Sequence, residues 1–333
     1  MTRRGEDRGS AFVVGVDVGG TKIATALVDA AGTIIARYTS KAHSGRPPEE
    51  VIKAIIEGCR DVVDAAHRKG VPVSGVGVAF AGHVHGAKGV VLTASNLPGW
   101  SNYPLRNRLE EQLEFPVLLE NDANCAAWGE YCLGAGRGSV YMCYVTFSTG
   151  YGLGIVADGK LYSGATGTAG ELGHTVVDVD GPVCFCGKRG CIMSYACGMA
   201  ISRMARERLG GGEPTLLRQL VADPTRIEAE AVAHAARAGD RTAREILETA
   251  GRYFGIGLST VVQVLNPDRI VIGGGLVKIG PPLMDPCLRA LNENIHPVLV
   301  DSAEIVLSKM DEDAGLIGAA ALARQRLSEA PRE

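Results

Sequence analysis

Short apolar runs separated by glycine-containing turns open the chain, and their lengths predict strands. Residues 11–17 read as a first strand, Gly19-Gly20 as a turn, and 23–28 and 33–39 as two further strands that complete a meander. Ser44, Gly45, Pro47 and Pro48 break the pattern. The period then changes: Val51, Ile52, Ile55, Ile56, Cys59, Val62, Val63 and Ala66 recur at helical spacing and predict a helix over 49–68, with one apolar face toward the sheet. Residues 75–80 and 117–119 predict buried strands running into Ala81-Gly82-His83 and Glu120-Asn121-Asp122, so polar side chains occupy strand ends. A helix over 124–133 follows the acidic turn. Residues 141–147 predict a strand ending at Ser148-Thr149-Gly150-Tyr151-Gly152, and 153–157 a return strand. The Cys- and Gly-rich stretch 181–190 reads as a local insertion before a helix-capable segment near Ser194. Helical stretches are expected in 214–238 and 242–265, a strand over 269–272 before Gly273-Gly274-Gly275, and a closing helix over 315–326.

This grammar is α/β. Turns after apolar strands at 17–22 and 148–152 suggest two lobes around a cleft, with a boundary near residues 120–130. The expected division is a flexible leader (1–10), a small N-terminal lobe (11–122), a large lobe (123–305) with an insertion near 174–191, and a return helix (306–333) packing on the small lobe.

Composition narrows the classes. The 333 residues suffice for one large domain or two coupled medium ones, and 34 Lys plus Arg against 37 Asp plus Glu give a formal charge of -3, which offers no strongly basic nucleic-acid surface. Forty-four Gly, nearly twice the usual share of roughly 7%, predict many turns or close backbone approaches. Nine Cys cannot all pair within one monomer, which argues against a secreted disulfide scaffold. The charged start has no secretory apolar core behind it, and no apolar run approaches the roughly 20 residues of a membrane span. A soluble, cytoplasmic protein without a membrane partner is expected.

Candidate chemistry sits in the turns. Asp17, Gly19, Gly20, Thr21 and Lys22 combine a carboxylate, exposed amides and a hydroxyl, the ingredients for arranging Mg²⁺-bound phosphates, although a structural hairpin wants the same glycines. Ser148, Thr149, Gly150 and Gly152 supply a second such turn, and Gly273, Gly274 and Gly275 allow a nucleoside to approach or a helix to pack. The spacing is neither Walker A nor the dinucleotide fingerprint. Asp122 can accept a substrate hydroxyl proton while Asn121 orients the acceptor, or can cap the following helix. Glu171 and His174 can bind hydroxyl groups. His174, Cys184, Cys186 and Cys191 offer one imidazole and three thiols, a complete set for structural tetrahedral Zn²⁺; reduced core cysteines beside a fortuitous histidine are the alternative.

Taken together and in order, DVGGTK at 17–22, ENDAN at 120–124, STGYG at 148–152, GELGH at 170–174 and the Cys184/Cys186/Cys191 cluster resemble the bacterial repressor, open-reading-frame and kinase (ROK) family of sugar kinases, glucokinases in particular, over residues 11–325. The resemblance implies an actin-like ATPase/ribonuclease H-like fold, a homodimer or homotetramer, and ATP-dependent phosphorylation of a hexose at its C6 hydroxyl. Asp122 is then the general base; Asn96, Asn121, Glu171 and His174 face the sugar, and Gly82 marks another substrate-proximal turn. Asp17 and the two phosphate turns organise Mg-ATP, 273–275 lies on the adenosine side, and His174 is also a zinc ligand. Glucose is the expected acceptor, with mannose, N-acetylhexosamine or an amino sugar as alternatives, beside a non-catalytic sugar-binding protein.

Two positions depart from the family's pattern. Met193 stands where an acidic residue commonly contacts sugar hydroxyls, and Met cannot replace that acceptor; Tyr151 stands where a smaller or differently polar residue is common. Both are expected to reshape the pocket, unless Met193 faces the core. Regulators with this core carry an additional N-terminal DNA-binding domain, and ten residues before Ala11 cannot contain one, so no nucleic-acid partner is expected.

Overall fold

The computed structural model describes residues 12–41, 45–94 and 98–329. Asn96, Ala11 and the leader lie outside the described residues. The chain opens as β1 (Phe12–Val18), β2 (Lys22–Val28) and β3 (Ile34–Lys41), an antiparallel meander. Helix α1 (Pro48–Arg68) leads to β4 (Val73–Phe80), which lies parallel to β1. Three short strands, β5 (His83–His85), β6 (Val90–Thr93) and β7 (Ser101–Tyr103), form a small antiparallel sheet, and α2 (Leu105–Leu113), β8 (Val117–Asn121) and α3 (Asp122–Leu133) follow. The strand order β3-β2-β1-β4-β8 leaves β8 at an edge.

The next elements repeat the plan. β9 (Met142–Phe147) turns into β10 (Tyr151–Ala157), which pairs antiparallel with β11 (Lys160–Leu161). After the Cys-rich segment come α4 (Gly198–Gly210), α5 (Leu217–Leu220), α6 (Ala229–Arg237) and α7 (Arg241–Leu265). β12 (Arg269–Gly273) lies parallel to β9, and β13 (Glu304–Leu307), which follows α8 (Pro281–Asn294), lies parallel to β12. The chain closes with α9 (Ala314–Glu329). Two compact units result: residues 1–139, 154–169 and 312–333 in the first, and 140–153 and 170–311 in the second. The first therefore includes α3 and α9, and the chain crosses between units within β10.

Alternation along β1 and β4 explains the first unit's layers. Val14, Val16, Val18, Val76, Val78 and Phe80 point to one face and join Val51, Ile55, Cys59 and Val62 of α1 in a fully buried core. On the other face stand Gly15, Gly77, Ala79 and Asp17. Any side chain at Gly15 or Gly77 would run into the α9 backbone at Leu316 or Ala319, so small residues there seat α9 directly on the sheet. Asp17, on the same face at the end of β1, thereby meets the start of α9: a Cβ at Gly315 would lie 3.5 Å from its carboxyl carbon. In the second unit, Phe147 stacks on Phe254 with centroids 3.9 Å apart, and Tyr151 meets Phe254 edge-on at 5.3 Å.

Several elements escape the hydrophobic pattern. The strands β5–β7 are three or four residues long, too short for alternation to register. Helix α8 starts with Pro281-Pro282 and contains Pro286, which reads as breaking a helix; at the first turn the missing N–H groups cost nothing, and Gly251 and Gly255 of α7 admit the α8 backbone closely. The helix read near Ser194 begins instead at Gly198, capped by the Cys197 Sγ, which accepts from the Ala200 N–H at 3.4 Å.

Candidate active site

In the first unit the acidic turn is built around Asn121. Its Oδ1 caps α3 by accepting from the Asn124 N–H at 3.1 Å, and its Nδ2 donates to the Gly82 carbonyl at 3.0 Å and to Asp122 Oδ1 at 2.9 Å. The cap is therefore Asn121, and Asp122 is the first residue of the helix. Asp122 Oδ1 also accepts from the Ala123 N–H at 2.9 Å. One side chain thus brings Gly82 and Asp122 together and fixes the carboxylate's orientation. Behind them, the buried Glu120 accepts from the Asn121 N–H at 2.9 Å and the Asn124 Nδ2 at 3.1 Å. The pattern along the chain gives Glu120 no role of its own, because a carboxylate inside a strand gives no sign of which neighbours it will meet.

Asp17 sits in the same field. Burial, then the charge of Asp122, pushes its carboxyl up from the usual 3.8 to about 7, against the lowering influence of Lys22. Lys22 itself pairs with Glu312 at 2.9 Å. The turn between β1 and β2 is closed by the Gly19 N–H donating to the Lys22 carbonyl at 3.0 Å, which leaves Gly20 and Thr21 at its tip. A native pKa above the unfolded value means the folded state holds the proton more tightly, so the metal-free protein loses stability as pH rises from about 4 to about 7 and no more beyond. Asp17→Asn removes this penalty. Its melting temperature should gain on the parent protein's between pH 4 and pH 8, as read by differential scanning fluorimetry; a difference that is the same at both pH values would contradict a carboxyl raised by burial and by Asp122.

In the second unit, the turn after β9 is closed by the Ser148 N–H donating to the Gly150 carbonyl at 3.1 Å. The Ser148 carbonyl accepts from the Gly198 N–H at 2.8 Å, which places the N-terminus of α4 beside Ser148 and Thr149, where helix dipoles favour an anion. Gly274, at φ +95°, lies against the Phe147 backbone, so the 273–275 turn and the 148–150 turn converge. Gly152 continues β10. Tyr151 departs from expectation: it is buried against Phe147 and Phe254, its hydroxyl directed at Gly257, so it belongs to the core rather than to a pocket wall.

Gly170 and Gly173 fold the GELGH segment back along β10, at Leu153 and Tyr151. His174 turns Nδ1 toward Cys184 Sγ at 3.6 Å and Nε2 toward Glu171 Oε2 at 3.9 Å. Cys186 and Cys191 place their sulfurs 3.8 Å apart, and the four ligand atoms of His174, Cys184, Cys186 and Cys191 all lie within 4.8 Å of one another. Metal–sulfur and metal–nitrogen bonds of about 2.3 and 2.0 Å give tetrahedral edges of about 3.5–3.8 Å, so these donors fit one tetrahedral ion. Gly187 and Gly190, both at positive φ, allow the tight loop. Tyr195 steadies it, donating to Asp178 at 2.5 Å and stacking on Tyr253 at 3.8 Å. Met193 is half-buried, its Cβ next to Gly173 and its carbonyl accepting from the Cys197 thiol at 3.1 Å.

The ROK family model matches residues 13–326, nearly the whole chain. The chain belongs to the ROK family. This ROK chain is 35% identical over 315 residues to a glucokinase of Thermotoga maritima, covering 95% of itself and 98% of that protein. Its fold matches the crystal structure of a ROK family glucokinase from Streptomyces griseus in complex with glucose and AMPPNP, with a TM-score of 0.82, 34% identity, and 95% and 100% of the two chains covered. The paired α/β units are therefore the ROK fold. The xylose repressor of Bacillus spizizenii is also similar, 28% identical, with 92% of this chain but 75% of the repressor covered. Among the described residues of this ROK chain, no helix is long and apolar enough to cross a membrane.

Proposed function

We propose that this protein is an ATP-dependent sugar kinase that transfers the terminal phosphoryl group of ATP to the C6 hydroxyl of a hexose, with glucose as acceptor. The observation that carries the reading is the oriented Asp122 carboxylate at the start of α3, held by Asn121 and the Ala123 N–H in a chain similar to glucokinases along its length. Asp122 accepts the acceptor hydroxyl's proton as that oxygen attacks the phosphorus in line, and ADP leaves. Asn121, Asn96, Glu171 and His174 bind sugar hydroxyls, and Gly82 keeps the turn beside Asp122 open. The turns 19–22, 148–152 and 273–275 take the nucleotide, the α4 N-terminus adding a favourable field for its phosphates. Asp17 would hold the Mg²⁺ that accompanies ATP, and the ion would supply positive charge for the phosphoryl oxygens.

His174, Cys184, Cys186 and Cys191 would hold a structural Zn²⁺ and so fix the loop from which His174 and Glu171 are presented; the fit of their donor atoms supports this. His174, whose Nδ1 faces Cys184, would then keep Nε2 for Glu171 and the sugar. The protein works in the cytoplasm as a homodimer or homotetramer, without a nucleic-acid partner, in keeping with its charge of -3. Mannose, N-acetylhexosamines and amino sugars are alternative acceptors, because Met193 brings no charge to the wall beside Gly173. Product analysis tests the regiochemistry: with glucose and ATP, phosphorus–proton couplings should place the phosphate on C6, and a phosphate on another hydroxyl would overturn the assignment.

A further inference from the structure

On its α9 side, beside the edge strand β8, the first unit holds a cavity of about 540 Å³, within the size range of small-ligand sites. Its floor is polar. Glu120 is only 8% exposed, and while its Oε1 accepts from Asn121 and Asn124, its Oε2 accepts from the Ser163 hydroxyl at 3.5 Å, the limit of a hydrogen bond. Gly86 leaves that oxygen uncovered: a Cβ there would stand 2.9 Å from it. His85, also on the wall, has a buried Nδ1 with no hydrogen-bond partner among the described residues. A buried polar atom without a partner, as at His85, or with a single long bond, as at Glu120, is costly unless something fills the space and bonds it.

The mouth has the opposite character. Arg326 of α9 is exposed, pairs with the equally exposed Glu329 at 3.6 Å, and its charge reaches Glu120, while Arg106 is held by the carbonyls of Ala87 and Lys88, each at 3.3 Å. Two guanidinium groups disfavour a cationic ligand and favour an anionic one; a desolvated carboxyl at the floor calls for hydrogen-bond donors such as hydroxyls. Leu118, Leu322 and Leu327 provide the apolar sides.

We propose that this cavity is a second small-molecule site, for a polyhydroxylated ligand bearing a phosphate, with hydroxyls on Glu120 and Ser163 and the phosphate at Arg326 and Arg106. The ligand class is that of the product of the sugar-kinase reaction, so this inference rests on the proposed function. Because the same Glu120 carboxyl supports the Asn121–Asp122 turn, a ligand on its Oε2 acts on the acceptor site from behind.

The test uses glucose 6-phosphate as probe, titrated by calorimetry into full-length protein saturated with glucose and AMPPNP, so that the reaction site is filled. One equivalent should still bind. Arg326→Ala, an exposed change, should weaken that binding about tenfold or more, as expected for a lost charge-assisted contact, while Asp122→Asn leaves it unchanged. In turnover assays, glucose 6-phosphate should inhibit in a way that raising glucose does not relieve and that Arg326→Ala removes. No binding to the saturated protein, or equal affinity in Arg326→Ala, would overturn the second site. If wild type releases no ADP in response to glucose, the kinase reading fails; if it turns over glucose but shows no residual probe binding, only the second site fails.

Discussion

Asp122→Asn is expected to lower kcat for phosphoryl transfer by about 10²–10⁴-fold, the usual contribution of a positioned general base. The amide oxygen of Asn can still accept from Asn121 Nδ2 and the Ala123 N–H, which stand 2.9 Å from Asp122 Oδ1, so the α3 start should survive and the loss should be chemical. Steady-state kinetics should therefore show a large fall in kcat, while calorimetry shows sugar binding within a few-fold of wild type and the melting temperature stays close to it. A variant with near-normal kcat would remove Asp122 from the base role. Lost sugar binding together with lost activity would instead assign the residue to acceptor positioning.

The second large effect is expected at the thiol cluster. Cys191→Ser removes a fully buried ligand whose sulfur lies 3.8 Å from that of Cys186. Metal content, measured by mass spectrometry, should fall well below one equivalent per chain. Activity should drop by roughly 10–100-fold or more, at least as much as when the residues supporting a metal's ligands are lost. The reason lies in His174, which faces Cys184 with one ring nitrogen and Glu171 with the other: without the metal the ring loses its anchor and Glu171 its neighbour. Treatment of the wild-type protein with a strong chelator should give the same loss, reversible by Zn²⁺. Full activity in metal-free protein would show that the cluster is only a set of reduced cysteines.

Much of this was legible in the chain. The meander, the long amphipathic α1, the strand leading into the acidic turn and the four zinc-type donors all follow from period, breakers and residue chemistry, because each depends on near neighbours. What stayed hidden depends on distant packing. Gly15 and Gly77 read as ordinary strand glycines until α9, some three hundred residues after Gly15, is laid across them. Asp122 was open to reading as a helix cap, yet the cap falls to Asn121, since a one-residue shift in the helix start exchanges the two roles. Tyr151, a turn position where the family commonly has a smaller or differently polar residue, is expected to reshape the pocket; the alternation of β10 turns it into the aromatic core instead. Glu120 belongs to the ENDAN motif but gives no sign of a role of its own, which comes from Ser163 and from Asn124, brought by the fold to its two oxygens.

The central claim is a phosphoryl transfer that depends on a sugar acceptor, and ADP release by the purified protein measures it directly. With ATP, Mg²⁺ and verified zinc content, ADP should form rapidly when glucose is added and only slowly without it, and the same panel with mannose, glucosamine and N-acetylated sugars should show weaker responses. ADP release unchanged by every sugar, in protein that still binds ATP and zinc, would contradict the kinase account and leave a sugar-binding protein in its place.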